Sequence, residues 1–270
     1  MKKCFTINCM RKKEDFIGYD KIISEGLFQG VELFYPYNVD ESQAKLYEEE
    51  VRKLLNKHQD IEVVLHLPHG GVNNLVNKDG SKNNDIYERM IGAINFANKF
   101  NVHKLTLHLG SSFKDDGVSR AMLVDGVILV LKELCDYAKR YKMNVMIENM
   151  PRDSELGYSP DEILYIINNV GKDNLKFIMD TGHAHVSSYE LSLYVEKLKD
   201  YLYHMHFSDN HGISDEHKPI GEGNIDFKSL FIDLKKVKYN ELHCLEILFN
   251  DYTDLIRYAK KIDEFDYLYK

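Results

Sequence analysis

Two hydrophobic periodicities alternate along the chain. Eight short β-rich runs, each bounded by turn residues, cover Cys4–Cys9, Gly30–Tyr35, Ile61–Leu67, His103–Leu109, Asn144–Asn149, Leu175–Asp180, Leu202–Ser208 and Leu242–Leu248. Between them apolar residues recur at helical spacing, as in Ala44, Tyr47, Val51, Leu54 and Leu55, or in Ile86, Met90, Ile91, Ile94 and Ala97. One helix start is explicit. Ser159-Pro160-Asp161-Glu162 predicts an N-cap serine, a proline in the first helical position and a capping-box glutamate, ahead of a buried face of Ile163, Leu164, Ile166 and Ile167. Eight strand-helix units in 270 residues take about 34 residues each, which suits the α/β class and a closed (β/α)8 barrel. An open doubly wound sheet would call for a G-x-G-x-x-G turn after the first run, and none follows it. No linker-like segment interrupts the alternation, so residues 1–270 are expected to form one domain.

Composition narrows the function classes. With 44% hydrophobic residues the chain can bury a sizeable core. The balance of 35 basic against 43 acidic residues gives a net charge of −8, which excludes a bulk positive field for coating nucleic acid. The apolar stretch between Met1-Lys2-Lys3 and Arg11-Lys12-Lys13 is too short for a signal-peptide core, and no run of ~18 apolar residues occurs. A soluble cytoplasmic protein without a membrane partner is expected. Cys4, Cys9, Cys135 and Cys244 are scattered, with no C-x-x-C spacing, and read as reduced thiols. More telling are the 12 histidines, many of which follow apolar runs.

In a (β/α)8 barrel the chemistry gathers at the carboxyl ends of the strands, where the βα loops converge. Here the third run ends Leu65-His66-Leu67-Pro68-His69, the fourth Leu107-His108-Leu109-Gly110 and the fifth Met146-Ile147-Glu148-Asn149. The sixth ends Met179-Asp180-Thr181-Gly182-His183, the seventh His204-Met205-His206-Phe207-Ser208-Asp209 and the eighth Leu245-Glu246-Ile247, and the loop after the seventh carries Asp215-Glu216-His217. A single strand-end histidine is more often a hydrogen-bonded core group than a ligand. Glu148 and Glu246 stand among apolar residues, where a carboxylate is costly without a cation or a hydrogen-bonded partner. A ring of imidazoles and carboxylates at one mouth is a donor set for Zn²⁺, Mn²⁺ or a similar divalent ion.

These segments, with Gly30-Val31-Glu32-Leu33-Phe34 and the loop Asp215 to Phe227 containing Gly221-Glu222-Gly223-Asn224-Ile225-Asp226, resemble the xylose isomerase-like TIM-barrel superfamily. That superfamily includes sugar isomerases and epimerases as well as abasic-site nucleases of the endonuclease IV type. The isomerase pattern implies one divalent ion, manganese or zinc, held by Glu148, Asp180, His206 and Glu246. Glu148 and Glu246 would then form the acid/base pair that moves a carbon-bound proton of a small sugar or sugar phosphate through an enediolate. His183 would hold a substrate oxygen. Glu32 is placed either at the mouth or in a structural role.

The nuclease pattern implies three zinc ions and a DNA partner. His69, His108 and Glu148 would hold one ion, Glu148, Asp180, His206 and Glu246 a second, and His183, Asp215 and His217 the third. Departures favour the isomerase branch: Gly182 stands where the nucleases usually carry cysteine, Ile247-Leu248 follows Glu246 in place of Thr-Pro, and the first two loops lack the usual DNA-probing residues. His66 competes with His69 for the third-strand position, and His69 is preferred because it follows the strand end. His185, His204, His211 and His243 match no ligand position, and Gly221-Glu222-Gly223 reads as a flexible rim turn rather than a phosphate loop. Sugar specificity is assigned to loops 35–38, 70–84 and 113–120. A homo-oligomer is compatible with the sequence, which does not fix the number of copies.

Overall fold

The computed structural model describes residues 1–268. Its strands are β1 (Lys3–Ile7), β2 (Gly30–Phe34), β3 (Glu62–His66), β4 (Lys104–Leu107), β5 (Asn144–Glu148), β6 (Leu175–Asp180), β7 (Leu202–Phe207) and β8 (His243–Leu245). Each pairs in parallel with the next, and β1 closes on β8, so the eight form a closed barrel. The helices are α1 (Lys13–Ser24), α2 (Glu41–Lys57), α3 (Asn84–Asn98), α4 (Arg120–Lys139), α5 (Pro160–Val170), α6 (Thr181–Val186), α7 (Leu191–Leu198), α8 (Phe227–Lys236) and α9 (Tyr252–Asp263). Seven strands lie inside their expected runs, and β1 begins one residue before its run, at Lys3. The eighth is the shortest, three residues long, because pairing to β7 and β1 stops at Leu245. None of the described helices is long and apolar enough to cross a membrane.

Strand parity divides the interior in two. Phe5, Val31, Leu65, Leu105, Ile147, Phe177, Met205 and Leu245 join the large cluster shared with the helices, whereas Cys4, Val64, Met146, Ile178 and Cys244 form a small separate cluster within the barrel. Because strand side chains alternate, the next inward positions toward the carboxyl ends are Thr6, His66, Glu148, Asp180 and Glu246. Apolar layers thus floor the barrel, and ionisable side chains occupy its mouth.

Helix starts follow local chemistry. Asp40, Asn83, Ser119, Ser159 and Asp226 each accept a hydrogen bond from a backbone N–H in the first turn of α2, α3, α4, α5 and α8. The expected capping box at α5 is half realised. Ser159 caps as predicted, but Glu162 accepts from the Gly157 N–H at 2.6 Å and from Arg120 Nε at 2.6 Å instead of turning back to Ser159. A guanidinium within reach is a stronger donor than a terminal amide. The buried face of α5 is Ile163, Ile166, Ile167 and Val170, with Leu164 half-buried.

Candidate metal centre

Four side chains converge at the mouth from β5, β6, β7 and the end of β8. His206 Nδ1 lies 2.8 Å from Glu246 Oε2, 3.1 Å from Glu148 Oε1 and 4.0 Å from Asp180 Oδ2. Ligand atoms of Glu148, Asp180, His206 and Glu246 all lie within 4.8 Å of one another. Asp180 serves two purposes. Its Oδ1 caps α6, accepting the His183 N–H at 2.6 Å, while its fully buried Oδ2 has no hydrogen-bond partner. An orphaned carboxylate oxygen beside two further carboxylates and an imidazole fits a divalent cation, which would satisfy it.

The electrostatics agree. Burial, reinforced by the charges on Glu148, Asp215 and Glu246 and opposed by His183, pushes the Asp180 carboxyl up to about 6. Burial would raise Glu148 and Glu246 too, but the nearby imidazoles override it, holding Glu148 well below the usual range and Glu246 at about 2. Burial disfavours a charged His206, yet Glu246, Glu32 and Glu148 raise it well above the ordinary histidine value. In the metal-free chain the His206 imidazolium therefore supplies the positive charge that the three carboxylates demand.

Two more groups flank this one. His108 Nε2 lies 2.9 Å and His66 Nε2 3.7 Å from Glu148 Oε2. On the other side, His217 Nε2 and His183 Nε2 lie 2.9 and 3.2 Å from Asp215 Oδ2. The outer nitrogens are already engaged: Nδ1 donates to Leu67 O from His66, to Asn149 O from His183 and to Glu246 O from His217, at 2.9, 2.9 and 3.0 Å. Such bonds fix the tautomer that leaves Nε2 as the lone-pair nitrogen, the usual preparation of a metal-binding imidazole.

His69 stands one ring outside the His66, His108 and Glu148 group. Its centroid is 4.7 Å from that of His66 and 5.6 Å from that of His108, and burial drives its value down to about 3. The third-strand side chain facing Glu148 is thus His66, at an inward position of β3, while His69 helps wall a cavity of about 230 Å³ above the three groups. Met150, Pro151 and Glu155 complete that wall. Glu155 went unnoticed in the sequence because it sits in an irregular loop, and burial raises its carboxyl.

Local packing explains two further sequence features. A Cβ on Gly182 would lie 2.3 Å from Ser208 Oγ, so a side chain there requires the Ser208 hydroxyl to move. The Gly221-Glu222-Gly223 turn is tied down: the buried Asp209 carboxylate accepts from the N–H groups of Gly221, Ile225 and Asn210 at 2.9, 3.1 and 2.9 Å.

Comparison with known proteins places this geometry. A solved structure described as a D-tagatose 3-epimerase-like protein superposes with a TM-score of 0.77 at 25% identity, covering 98% of this chain and 97% of that one. Fructoselysine 3-epimerase of Shigella flexneri is 29% identical over 119 residues, 44% of this chain and 43% of that protein. A probable endonuclease 4 of Carboxydothermus hydrogenoformans is 28% identical over 127 residues, 43% of this chain and 42% of its own length. The alignments to the curated relatives span at most 66% of their length. A family model of the xylose isomerase-like TIM barrel matches residues 21–262, and the chain belongs to that family.

Proposed function

We propose that the chain is a divalent-metal-dependent isomerase or epimerase of a small sugar or sugar phosphate. The observation that carries this reading is the pair of carboxylates Glu148 and Glu246, whose oxygens lie 3.1 and 2.8 Å from His206 Nδ1, with Glu246 lining the cavity. Similarity to the D-tagatose 3-epimerase-like protein and to fructoselysine 3-epimerase supports the reaction class. Glu148, Asp180, His206 and Glu246 would hold one manganese or zinc ion, which when bound polarises the substrate carbonyl and stabilises developing enediolate charge. One glutamate takes the proton from the carbon beside the carbonyl, and the other, protonated, returns one to the enediolate. His183, held by Asn149 O and facing Asp215, orients a substrate oxygen. A cavity of about 230 Å³ suits a small substrate.

The test is exchange of a carbon-bound substrate proton with deuterated solvent, across a panel of keto and aldo sugars with manganese or zinc. Exchange by the wild type, lowered about 10²–10⁴-fold in Glu148→Gln and Glu246→Gln with the fold intact, is expected. No exchange on any sugar with either metal would remove this reading.

The two flanking groups favour a second reading, an abasic-site nuclease with three zinc ions, whose third is held by His183, Asp215 and His217. It predicts three zinc ions per purified chain, cleavage of abasic DNA and DNA affinity falling steeply with salt. About one ion per chain and no cleavage are expected instead.

A further inference from the structure

Below the metal ligands, in the middle of the barrel, lies a carboxylate that the reaction scheme does not use. Glu32 of β2 has no solvent exposure. Its Oε2 accepts from His206 Nε2 at 2.8 Å and from His204 Nε2 at 2.9 Å, and its Oε1 accepts from Thr106 Oγ1 at 2.8 Å. Among the described residues the two imidazoles are its only ion partners. Val64 stands beside it in register on β3 and belongs to the apolar cluster of Cys4, Val64, Met146, Ile178 and Cys244. A fully desolvated carboxylate in such a place is costly, and well-packed apolar residues would fill the space at no such cost.

What Glu32 accomplishes is read from His206. The imidazole has one nitrogen toward Glu32 and the other toward Glu148, Glu246 and Asp180. We propose that Glu32 is a positioning residue for the metal: by accepting the His206 Nε2–H it fixes the tautomer and ring orientation that present the Nδ1 lone pair at the mouth. His204, two residues earlier on the same inward face of β7, shares the same oxygen and does not reach the mouth. It anchors the carboxylate. A glutamine at position 32 can keep a carbonyl toward His206 and turn its amide to the Thr106 hydroxyl, but it removes the carboxylate charge, so the His206 Nε2–H is held by a weaker, neutral acceptor.

This inference rests on the metal reading above, and the experiment separates the two. Zinc and manganese dissociation constants are measured by chelator competition on metal-free protein, with thermal unfolding of the metal-free form alongside. Glu32→Gln is expected to weaken binding about 10–100-fold, the usual effect of removing a hydrogen-bond partner of a metal-bound imidazole. His204→Gln, which keeps a donor to Glu32, is expected to bind within about threefold of wild type, on the same principle. Equal affinity in wild type and Glu32→Gln overturns the proposal and leaves the metal reading standing, whereas a wild type that binds neither metal overturns both. Where Glu32→Gln does not fold, Thr106→Val removes the donor to Oε1 at nearly constant volume. A loss of a few-fold in that variant supports the proposal, and unchanged affinity refutes it.

Discussion

Replacing Asp180 by asparagine should make the metal-free chain more stable and the metal-loaded chain less so. In the metal-free chain this carboxyl titrates at about 6 instead of 3.8, because burial and neighbouring carboxylates penalise its charge. The folded chain therefore binds that proton more tightly than the unfolded one. Stability is lost as pH rises from 3.8 through 6, and the loss is complete above 6. A displacement of about two units corresponds to about 3 kcal/mol, or roughly 6–12 °C in Tm for a domain of this size. Asparagine keeps the oxygen that caps α6 and replaces the partnerless Oδ2 with an amide that Glu148 and Glu246 can accept from. Metal reverses the order. At a thousandfold excess over Kd a bound ion stabilises the wild type by about 4.1 kcal/mol, more than that deficit, and Asp180→Asn, lacking one ligand, should gain little of this. The assay is thermal or urea unfolding at pH 8, with chelator and then with zinc or manganese. Two results would refute the reasoning: a variant less stable than wild type in chelator, or a variant that gains as much from metal as wild type does.

Two further outcomes follow from burial and from space. His243 packs against Phe207 and Phe231 with ring centroids at 5.3 and 5.8 Å, and burial lowers it from 6.5 to about 3. Its neutral form contributes stability that is full above 6.5 and lost as pH falls toward 3, about 2 kcal/mol by pH 5; His243→Phe should reduce the stability difference between pH 7 and pH 5 by that amount in urea titrations, and an unchanged difference would count against it. A Cβ on Gly223 would lie 2.3 Å from Asn210 O and from Asp209 Oδ1, so Gly223→Ala must displace the turn around Asp209. We expect a loss of about 1–3 kcal/mol with weakened turnover, since the same loop carries Asp215 and His217; a wild-type Tm would show that the turn yields freely.

The architecture was legible from the amino-acid order alone, because strand and helix periodicities are local properties of neighbouring residues. Alternating runs marked out all eight strands, and their ends put His66, His108, Glu148, Asp180, His206 and Glu246 at one rim, while the choice of Glu148, Asp180, His206 and Glu246 as one set came from the family resemblance. Parity already contained more than the strand ends alone suggest. Counting by twos from Val64 puts His66 inward, and counting by twos from Gly30 does the same for Glu32. Closure of the barrel decided what those inward residues meet. Glu32 and His206 are 174 positions apart in the chain and hydrogen-bonded at 2.8 Å, a pairing that no spacing along the chain encodes. Residues in loops and at helix starts were the least legible: Glu155 reaches the cavity wall, and Glu162 in the first turn of α5 leaves its expected cap for Arg120. Their positions follow from which charges the folded chain brings within hydrogen-bond range, and distance in space, not order along the chain, sets the strength of such interactions.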